Sequence, residues 1–158
     1  MIVYNDIKRQ FVNDVKDNSI ADKILEAIKM RGLNAGHEKE YSSWQNSMQF
    51  MRNIVDDSDI DDEVRICIEY NIPLTSKRVD FIITGADNYG KDNIVIVELK
   101  QWQKAEVVAD DMHYCVRTYV ANSDRIVCHP SYQAYSYSCF LRNYSQSLTD
   151  EDISLIPC

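Results

Sequence analysis

The chain has 158 residues, of which 45% are hydrophobic, and only four are glycine and three proline. This length and composition fit one globular domain, residues 1–158, and exclude a disordered or low-complexity protein. The net charge of −8 is unusual for a nucleic-acid-binding protein, although it leaves room for a locally basic groove.

The first 33 residues predict an N-terminal pair of helices. From Ile2 to Val15 apolar residues recur at helical spacing, and Ser19 with Asp22 forms a capping-box pattern before the second helix. Gly32 is expected to end that helix. The region has no long apolar run, so we expect neither a signal peptide nor a membrane span. Five cysteines without close pairing indicate a reducing cytoplasm.

A third helix is predicted to begin at about Glu40. Glu40 has two interpretations, because an acidic side chain in the first turn suits the helix dipole but can also serve a catalytic site. The acidic stretch 56–63 that follows is predicted to be a solvated loop. The broad apolar face of the helix consists of Tyr41, Trp44, Met48, Met51 and Val55.

Three strands are predicted at residues 64–72, 77–84 and 94–101, with a turn-rich loop at 85–93. Their short connections predict an antiparallel meander. The third strand begins as a continuous apolar run, which is typical of a strand buried on both faces.

The C-terminal third predicts two further strands and a helix. The strands span His113 to Val120 and Arg125 to Cys128. Pro130 occupies the favoured first position of a helix that runs to about Ser145. The polar residues 146–158 are predicted to be a linker.

Two carboxylates and a lysine are predicted to meet at one end of the sheet. Antiparallel pairing brings Asp80, near the start of its strand, to Glu98 near the end of the next. Glu98 and Lys100 point to one face because strand side chains alternate, and Leu99 points to the other. Close carboxylates repel each other unless a cation lies between them, and their oxygens suit Mg²⁺ or Mn²⁺. Such an ion polarises a phosphoryl oxygen, and Lys100 could orient the attacking water.

Other catalytic patterns are weaker. His37, His113 and His129 show no metal-ligand spacing, and four glycines provide no phosphate-binding loop. Trp102 could stack on a base, but an aromatic residue beside a strand is more often part of a core. Three cations could line a phosphate groove or simply be solvated, namely Lys77, Arg78 and Lys104.

Four motif elements carry a resemblance to a known superfamily. Asp80, 17 intervening residues and Glu98-Leu99-Lys100 resemble the D…ExK core of the PD-(D/E)XK nucleases. Glu40 is similar to the acid that these enzymes often carry on a helix before the sheet. Val79 replaces the proline of the superfamily name, a position at which that proline is often missing. The helix after the core resembles the QxxxY motif of RecB-like and λ-exonuclease-like members through Gln133-Ala-Tyr-Ser-Tyr137.

A closer resemblance covers about Glu40 to Cys158. Here the chain is similar to the N-terminal nuclease-like domain of bacterial proteins that carry a C-terminal Schlafen-type helicase domain. The stretches that carry this likeness are residues 43–47, 72–83, 95–102 and 129–137.

The resemblance implies a restriction-endonuclease-like α/β fold. A central mixed sheet that contains the three-stranded meander would be flanked by helices. Residues 1–33 would be the helical pair, residues 40–145 the nuclease core, and residues 146–158 a linker toward a helicase domain.

The resemblance also implies a Mg²⁺-dependent or Mn²⁺-dependent cleavage of DNA or RNA. Asp80, Glu98 and the Leu99 carbonyl would bind the metal. Lys100 would position the water, and Glu40 would complete the metal shell or hold its water. Substrate contacts would come from Lys77, Arg78, Gln133 and Tyr137.

Two other functions stay open on the sequence alone. The domain could bind nucleic acid for a helicase partner without cutting it. It could also be a regulatory protein-interaction domain, a role that an acidic surface suits. The intact D…ExK motif favours the enzyme, and failure to bind nucleic acid at low salt would favour the interaction domain.

Overall fold

A computed structural model of the chain describes residues 1–32, 38–108 and 112–158. The helices are α1 (Lys8–Lys16), α2 (Ile20–Met30), α3 (Glu38–Val55), α4 (Pro130–Tyr144) and α5 (Gln146–Asp150). The strands are β1 (Ile2–Ile7), β2 (Arg65–Asn71), β3 (Arg78–Ala86), β4 (Asp92–Val97), β5 (Ala105–Val107), β6 (Cys115–Val120), β7 (Ser123–Cys128) and β8 (Ser154–Pro157).

The strands form two sheets. The larger has the order β1-β2-β3-β4-β8, in which the first four strands are antiparallel neighbours and β8 runs parallel to β4. The antiparallel meander and the mixed α/β class are therefore confirmed. The smaller sheet, β5-β6-β7, is antiparallel throughout.

The prediction of a helix from Ile2 to Val15 is wrong in its first half. Ile2–Ile7 is a strand that pairs with β2, and the helix begins only at Lys8. The apolar and aromatic start of the chain suits a strand, and tertiary pairing overrides the helical spacing that continues through Phe11. Both Val3 and Tyr4 are buried there, at 5% and 7% exposure.

The expected capping box at Ser19 is also wrong. Ser19 precedes α2, but its side chain makes no cap hydrogen bond, and its hydroxyl donates to the Asp14 carbonyl oxygen at 3.2 Å. The close turn between α1 and α2 provides this alternative acceptor. Gly32 does follow the end of α2 with a φ of +65°, as its predicted role requires.

Residues 146–158 are not an unstructured linker. They contain α5 and β8, and β8 completes the larger sheet beside β4. Leu155 is buried at 8% exposure in the core beneath α4. The polar composition of residues 146–152 concealed this, because the apolar strand that follows them is only four residues long.

Two apolar cores cover the two faces of the larger sheet. The first lies against α1, α2 and α3 and includes Phe11, Met48 and Phe81. The second lies beneath α4 and includes Ile96 and Tyr137. Ile96 is buried in the second core and its neighbour Val97 is partly buried against the first, so β4 packs against a core on each face. Burial is less complete than predicted, because Ile96 is the only fully buried residue of β4. Within the described ranges, no helix is long and apolar enough to cross a membrane.

Candidate active site

Asp80 and Glu98 meet across the ladder between β3 and β4. That ladder pairs Phe81 with Val97, and one more step in the same register places Asp80 opposite Glu98. The Leu99 backbone N–H donates to Asp80 Oδ2 at 2.9 Å, which fixes the chain just beyond β4. Leu99 itself packs against the first core. The antiparallel geometry therefore brings the two predicted carboxylates together.

Glu98 is buried and only partly satisfied. Its Oε1 accepts hydrogen bonds from Lys100 Nζ and from Gln133 Nε2, each at 2.5 Å. Its Oε2 is buried without a hydrogen-bond partner among the described residues. Burial, and then the negative charge of Asp80, raise the pKa of Glu98 to about 7, against the opposing effect of Lys100. An uncompensated carboxylate oxygen in this position is costly, so it points to a cation that binds from outside the chain.

Asp80 shares this environment. It is half-buried, and desolvation by burial raises the pKa of its carboxyl, while the Leu99 N–H and the Lys100 ammonium act in the opposite direction. Two neighbouring acids, both with raised pKa values, are typical of a functional site.

Gln133 and Tyr137 brace Glu98 from α4. Gln133 Nε2 also donates to the Tyr137 hydroxyl at 2.7 Å, so a single amide links Tyr137 to the carboxylate. The Tyr137 ring is buried in the second core, and Lys77 Nζ lies 5.7 Å from its centroid. This distance is within the range of a cation–π contact. The two residues share one helix face, as their spacing predicts.

A third acid, Glu69, lies beside Asp80 on the neighbouring strand, and it was not predicted from the sequence. The ladder between β2 and β3 pairs Ile68 with Phe81 and Tyr70 with Val79, so Glu69 falls opposite Asp80. Glu69 is only 4% exposed.

The backbone of Glu69 explains its burial. Its φ is +58°, a left-handed conformation that is rare for a residue with a side chain. Ile68 already packs against the first core, and the left-handed turn directs the next side chain to the same side, where Trp44 Nε1 donates to Glu69 Oε1 at 2.6 Å. Such strain costs about 1–3 kcal/mol and clusters at functional sites. No spacing pattern in the sequence predicts this left-handed conformation of Glu69.

Arg78 joins Glu69 to Glu40. Its guanidinium forms an ion pair with Glu69 and a second, at 3.3 Å, with Glu40 at the start of α3. Burial raises the pKa of Glu69 to about 7 even though Arg78 and the Trp44 N–H oppose that shift. Arg78, which is predicted to contact a substrate phosphate, therefore forms ion pairs with two acids of the chain itself.

A polar cleft of about 170 Å³ lies between α3 and the sheet, and Glu98, Gln133 and Tyr137 lie outside its lining. Gln101 closes one side, because its Nε2 donates to the Ser43 carbonyl and to the Ser47 hydroxyl, both at 2.9 Å. The charged residues of the cleft are Glu40, Glu69, Arg78, Asp80 and Lys100.

Several residues considered in the sequence do not line this cleft. Lys104 is exposed and pairs with Glu106 at 2.5 Å. Trp102 is half-buried on the segment after β4. His129 caps α4, where its Nδ1 accepts from the Ser131 N–H at 3.2 Å. His37 lies outside the described residues.

The donor set suits a hard cation that keeps much of its water. Among the described ranges no group of three or more His, Cys, Asp or Glu is close enough to enclose a metal ion. Asp80, Glu98 and the Leu99 carbonyl offer oxygen ligands, and the unpartnered Glu98 Oε2 leaves one of them available. Mg²⁺ commonly binds through one or two carboxylates and retains several waters, so these residues fit that ion.

Comparison with known protein families, curated proteins and solved structures gives no match to this chain. Its function is therefore inferred from the geometry and chemistry of these residues.

Proposed function

We propose that the chain is a metal-dependent nuclease domain of the PD-(D/E)XK type, which hydrolyses phosphodiester bonds of DNA or RNA. One observation carries the proposal. Asp80 lies opposite Glu98 at the end of β4, Lys100 contacts the same carboxylate, and Glu98 Oε2 is buried without a partner among the described residues. Metal-assisted phosphodiester cleavage needs such an arrangement of two acids and a cation.

The architecture supports the proposal. The D…ExK resemblance implies a mixed sheet with an antiparallel meander between flanking helices, and the larger sheet has this arrangement, with α3 and α4 on opposite faces. The acid on α3 and the Gln–Tyr pair on α4 both reach the meander, through Arg78 and Glu98 respectively. We also propose, from the resemblance alone, that the domain works in the cytoplasm beside a helicase domain.

Asp80, Glu98 and the Leu99 carbonyl would hold Mg²⁺ or Mn²⁺. The bound ion would polarise the phosphoryl oxygen and lower the pKa of a bound water. Leu99 contributes twice, since its N–H orients Asp80 and its side chain anchors the strand end in the core. These two contacts hold Asp80 and the strand end in position.

Lys100 would orient the attacking water and stabilise the charge that develops on the phosphate. Its ammonium lies 2.5 Å from Glu98 Oε1, and its side chain is 26% exposed, so it reaches both the carboxylate and the cleft. Gln133 and Tyr137 would act as positioning residues, because their hydrogen bonds fix the rotamer of Glu98.

Glu40 and the two neighbouring cations complete the proposed site. Glu40 is partly exposed at the mouth of the cleft, where it could hold a water of the metal shell. Arg78 brings positive charge among the acids, and Lys77 lies exposed beside Tyr137. Lys77 would attract a substrate phosphate, and Arg78 would do so only if the phosphate competes with its two acidic partners.

Cleavage assays test the proposal with labelled single-stranded and duplex DNA and RNA in Mg²⁺ or Mn²⁺. We expect Glu98→Gln and Lys100→Met to reduce the rate at least about 100-fold, because each removes a group that acts on the reacting phosphate. Lys104→Met is the matched control, since Lys104 is an exposed lysine outside the cleft. Circular dichroism verifies folding. Undiminished cleavage by both site variants would refute the assignment, and binding of every substrate without cleavage by the native chain would favour the non-catalytic alternative.

A further inference from the structure

A second cleft lies where the smaller sheet meets the start of α4. It measures about 500 Å³ and is lined by His113, Tyr114, His129, Ser131, Tyr132 and Tyr135. The ladder of β6 and β7 continues one step to form it, because the His129 N–H donates to the Tyr114 carbonyl at 2.8 Å. The nuclease mechanism uses none of these side chains.

Three tyrosine rings form a stepped stack in this cleft. The Tyr114 and Tyr132 rings are stacked, with centroids 4.2 Å apart and planes at 25°. Tyr135, one helical turn further along α4, lies 6.1 Å from Tyr132 with its plane tilted by 33°. The rings are 60%, 39% and 52% exposed in that order, so they add little to either core. Large aromatic faces left in solvent mark a binding surface.

The charge of the cleft suits a polyanion. The whole chain carries 25 acidic residues against 17 basic ones, yet among the described residues no carboxylate lines this cleft. Burial, Cys115 and the carboxylate of Glu98 raise the pKa of the Cys128 thiol, and the ammonium groups of Lys100 and Lys77 lower it. Two cations and one acid therefore act on the residue just before His129. Phosphates along this edge would contact the two lysine side chains, and bases would contact the tyrosine rings.

The cleft and the candidate active site both use the first turn of α4. Tyr132 is adjacent to Gln133, whose amide contacts Glu98, and the Gln133 N–H donates to the His129 carbonyl at 3.0 Å. A strand held by its bases in this cleft would run along the start of α4 toward Gln133 and Glu98.

We propose that this cleft, formed by Tyr114, Tyr132 and Tyr135, binds unpaired bases of a single-stranded nucleic acid by stacking. It delivers the backbone of that strand to the candidate active site. The inference rests on the proposed nuclease function and names a substrate class for it. It assigns the substrate class, because the bases of an intact duplex are stacked on one another and cannot cover these rings. Base–aromatic stacking is tolerant of sequence, so the cleft selects strandedness rather than a base code.

Fluorescence anisotropy without divalent metal tests the inference, because binding is then measured without cleavage. The probes are labelled 12-nucleotide single strands of DNA and of RNA and the matching duplexes. We expect Tyr114→Leu and Tyr132→Leu each to raise the Kd for single strands about tenfold, and Tyr132→Phe to retain native affinity, because the phenyl face remains. The Kd for duplexes should stay within twofold of native. Tyr89→Leu is the control, since Tyr89 is 95% exposed in the turn between β3 and β4.

Three results would overturn the inference. They are unchanged single-strand affinity in both leucine variants, an equal loss of duplex affinity, and no single-strand binding by the native chain at low salt. The last result would instead favour a protein ligand for the rings. Thermal melting shows whether the variants are folded, and substitution of these exposed rings should leave the melting temperature nearly unchanged. Binding that depends on the tyrosines but is followed by no cleavage would support this inference and contradict the proposed nuclease function. Cleavage that is unchanged in the tyrosine variants would support the nuclease function and contradict this inference.

Discussion

Glu69 lies directly across the β2–β3 ladder from Asp80, yet its carboxylate is directed to Trp44 Nε1, 2.6 Å away. Its left-handed φ of +58° turns its side chain toward α3, into the cleft that Asp80 also lines. Arg78 binds the Glu69 carboxylate and reaches Glu40 on α3. Glu69 therefore holds the Arg78 guanidinium, whose positive charge offsets that of the row of acids Glu69, Asp80 and Glu98. We assign Glu69 a positioning role.

The buried carboxyl of Glu69 should make stability depend on pH. Its folded pKa is raised from 4.5 to about 7, so the folded state keeps a proton that the unfolded state has released between those values. The stability that this group contributes is present below about pH 4.5 and is lost as pH rises toward 7. Relative to Glu69→Gln, the native chain should therefore lose free energy of unfolding between pH 5 and 8, by at most about 3 kcal/mol. Urea unfolding in EDTA measures this difference, and parallel pH profiles would contradict it.

Divalent metal should stabilise the fold through Asp80 and Glu98. A ligand at about 100 times its dissociation constant adds about 2.7 kcal/mol, which raises the melting temperature of a chain of this size by about 5–10 °C. Mn²⁺ should give such a shift in the native chain, and the shift should disappear in Asp80→Asn. Asp59→Asn, in the exposed acidic loop, serves as the control. An equal shift in the native chain and in Asp80→Asn would exclude a metal at this carboxylate.

Gln133 should affect metal binding more than folding. Gln133→Ala removes the amide that orients Glu98 and leaves the Tyr137 hydroxyl without that donor. Loss of such an outer partner lowers metal affinity or activity about 10–100-fold. Titration of cleavage rate against Mn²⁺ should show a higher half-saturating concentration, and Tyr137→Phe should show a smaller effect. Gln146→Ala, at an exposed position on α5, should match the native chain. A purely structural role would lower the melting temperature and leave the Mn²⁺ dependence unchanged.

The C-terminal strand should contribute to stability. Leu155 is buried beneath α4, and its neighbour Ile156 on the same strand is 41% exposed. Leu155→Ala should lower the free energy of unfolding by about 2–4 kcal/mol, because it leaves a cavity in the second core. Ile156→Ala should cost less than about 1 kcal/mol. Denaturant unfolding compares the two variants, and equal small losses would show that β8 is dispensable.

Much of the fold could be predicted wherever hydrophobic pattern and chain order agree. The meander follows from three apolar strands with short links, and α3 and α4 follow from helical spacing and from Pro130. The errors fall where long-range pairing decides the structure. Ile2–Ile7 becomes a strand because β2 is there to pair with it, and Ser154–Pro157 does so because β4 has a free edge. Neither partner is visible within a local window of sequence.

The candidate site also has a part that the sequence predicts and a part that it does not. The meeting of Asp80 with Glu98 follows from strand order, and the shared face of Gln133 and Tyr137 follows from helical spacing. Glu69 could not be found, since its burial depends on one backbone torsion and on Trp44, 25 residues earlier. The tyrosine stack also escaped prediction, because β6 had to be placed beside α4 before Tyr114 could meet Tyr132.

The alignment of Glu69, Asp80 and Glu98 across neighbouring strands limits which sequence changes this chain can accept. A slip of one residue between β3 and its neighbours would turn Phe81 and Ile82 to the wrong faces and empty both cores. The same slip would separate the carboxylates. The hydrophobic packing that fixes the register of β3 therefore also keeps Glu69, Asp80 and Glu98 aligned. The exposed turn at residues 87–91 can then change in length or composition without disturbing that alignment.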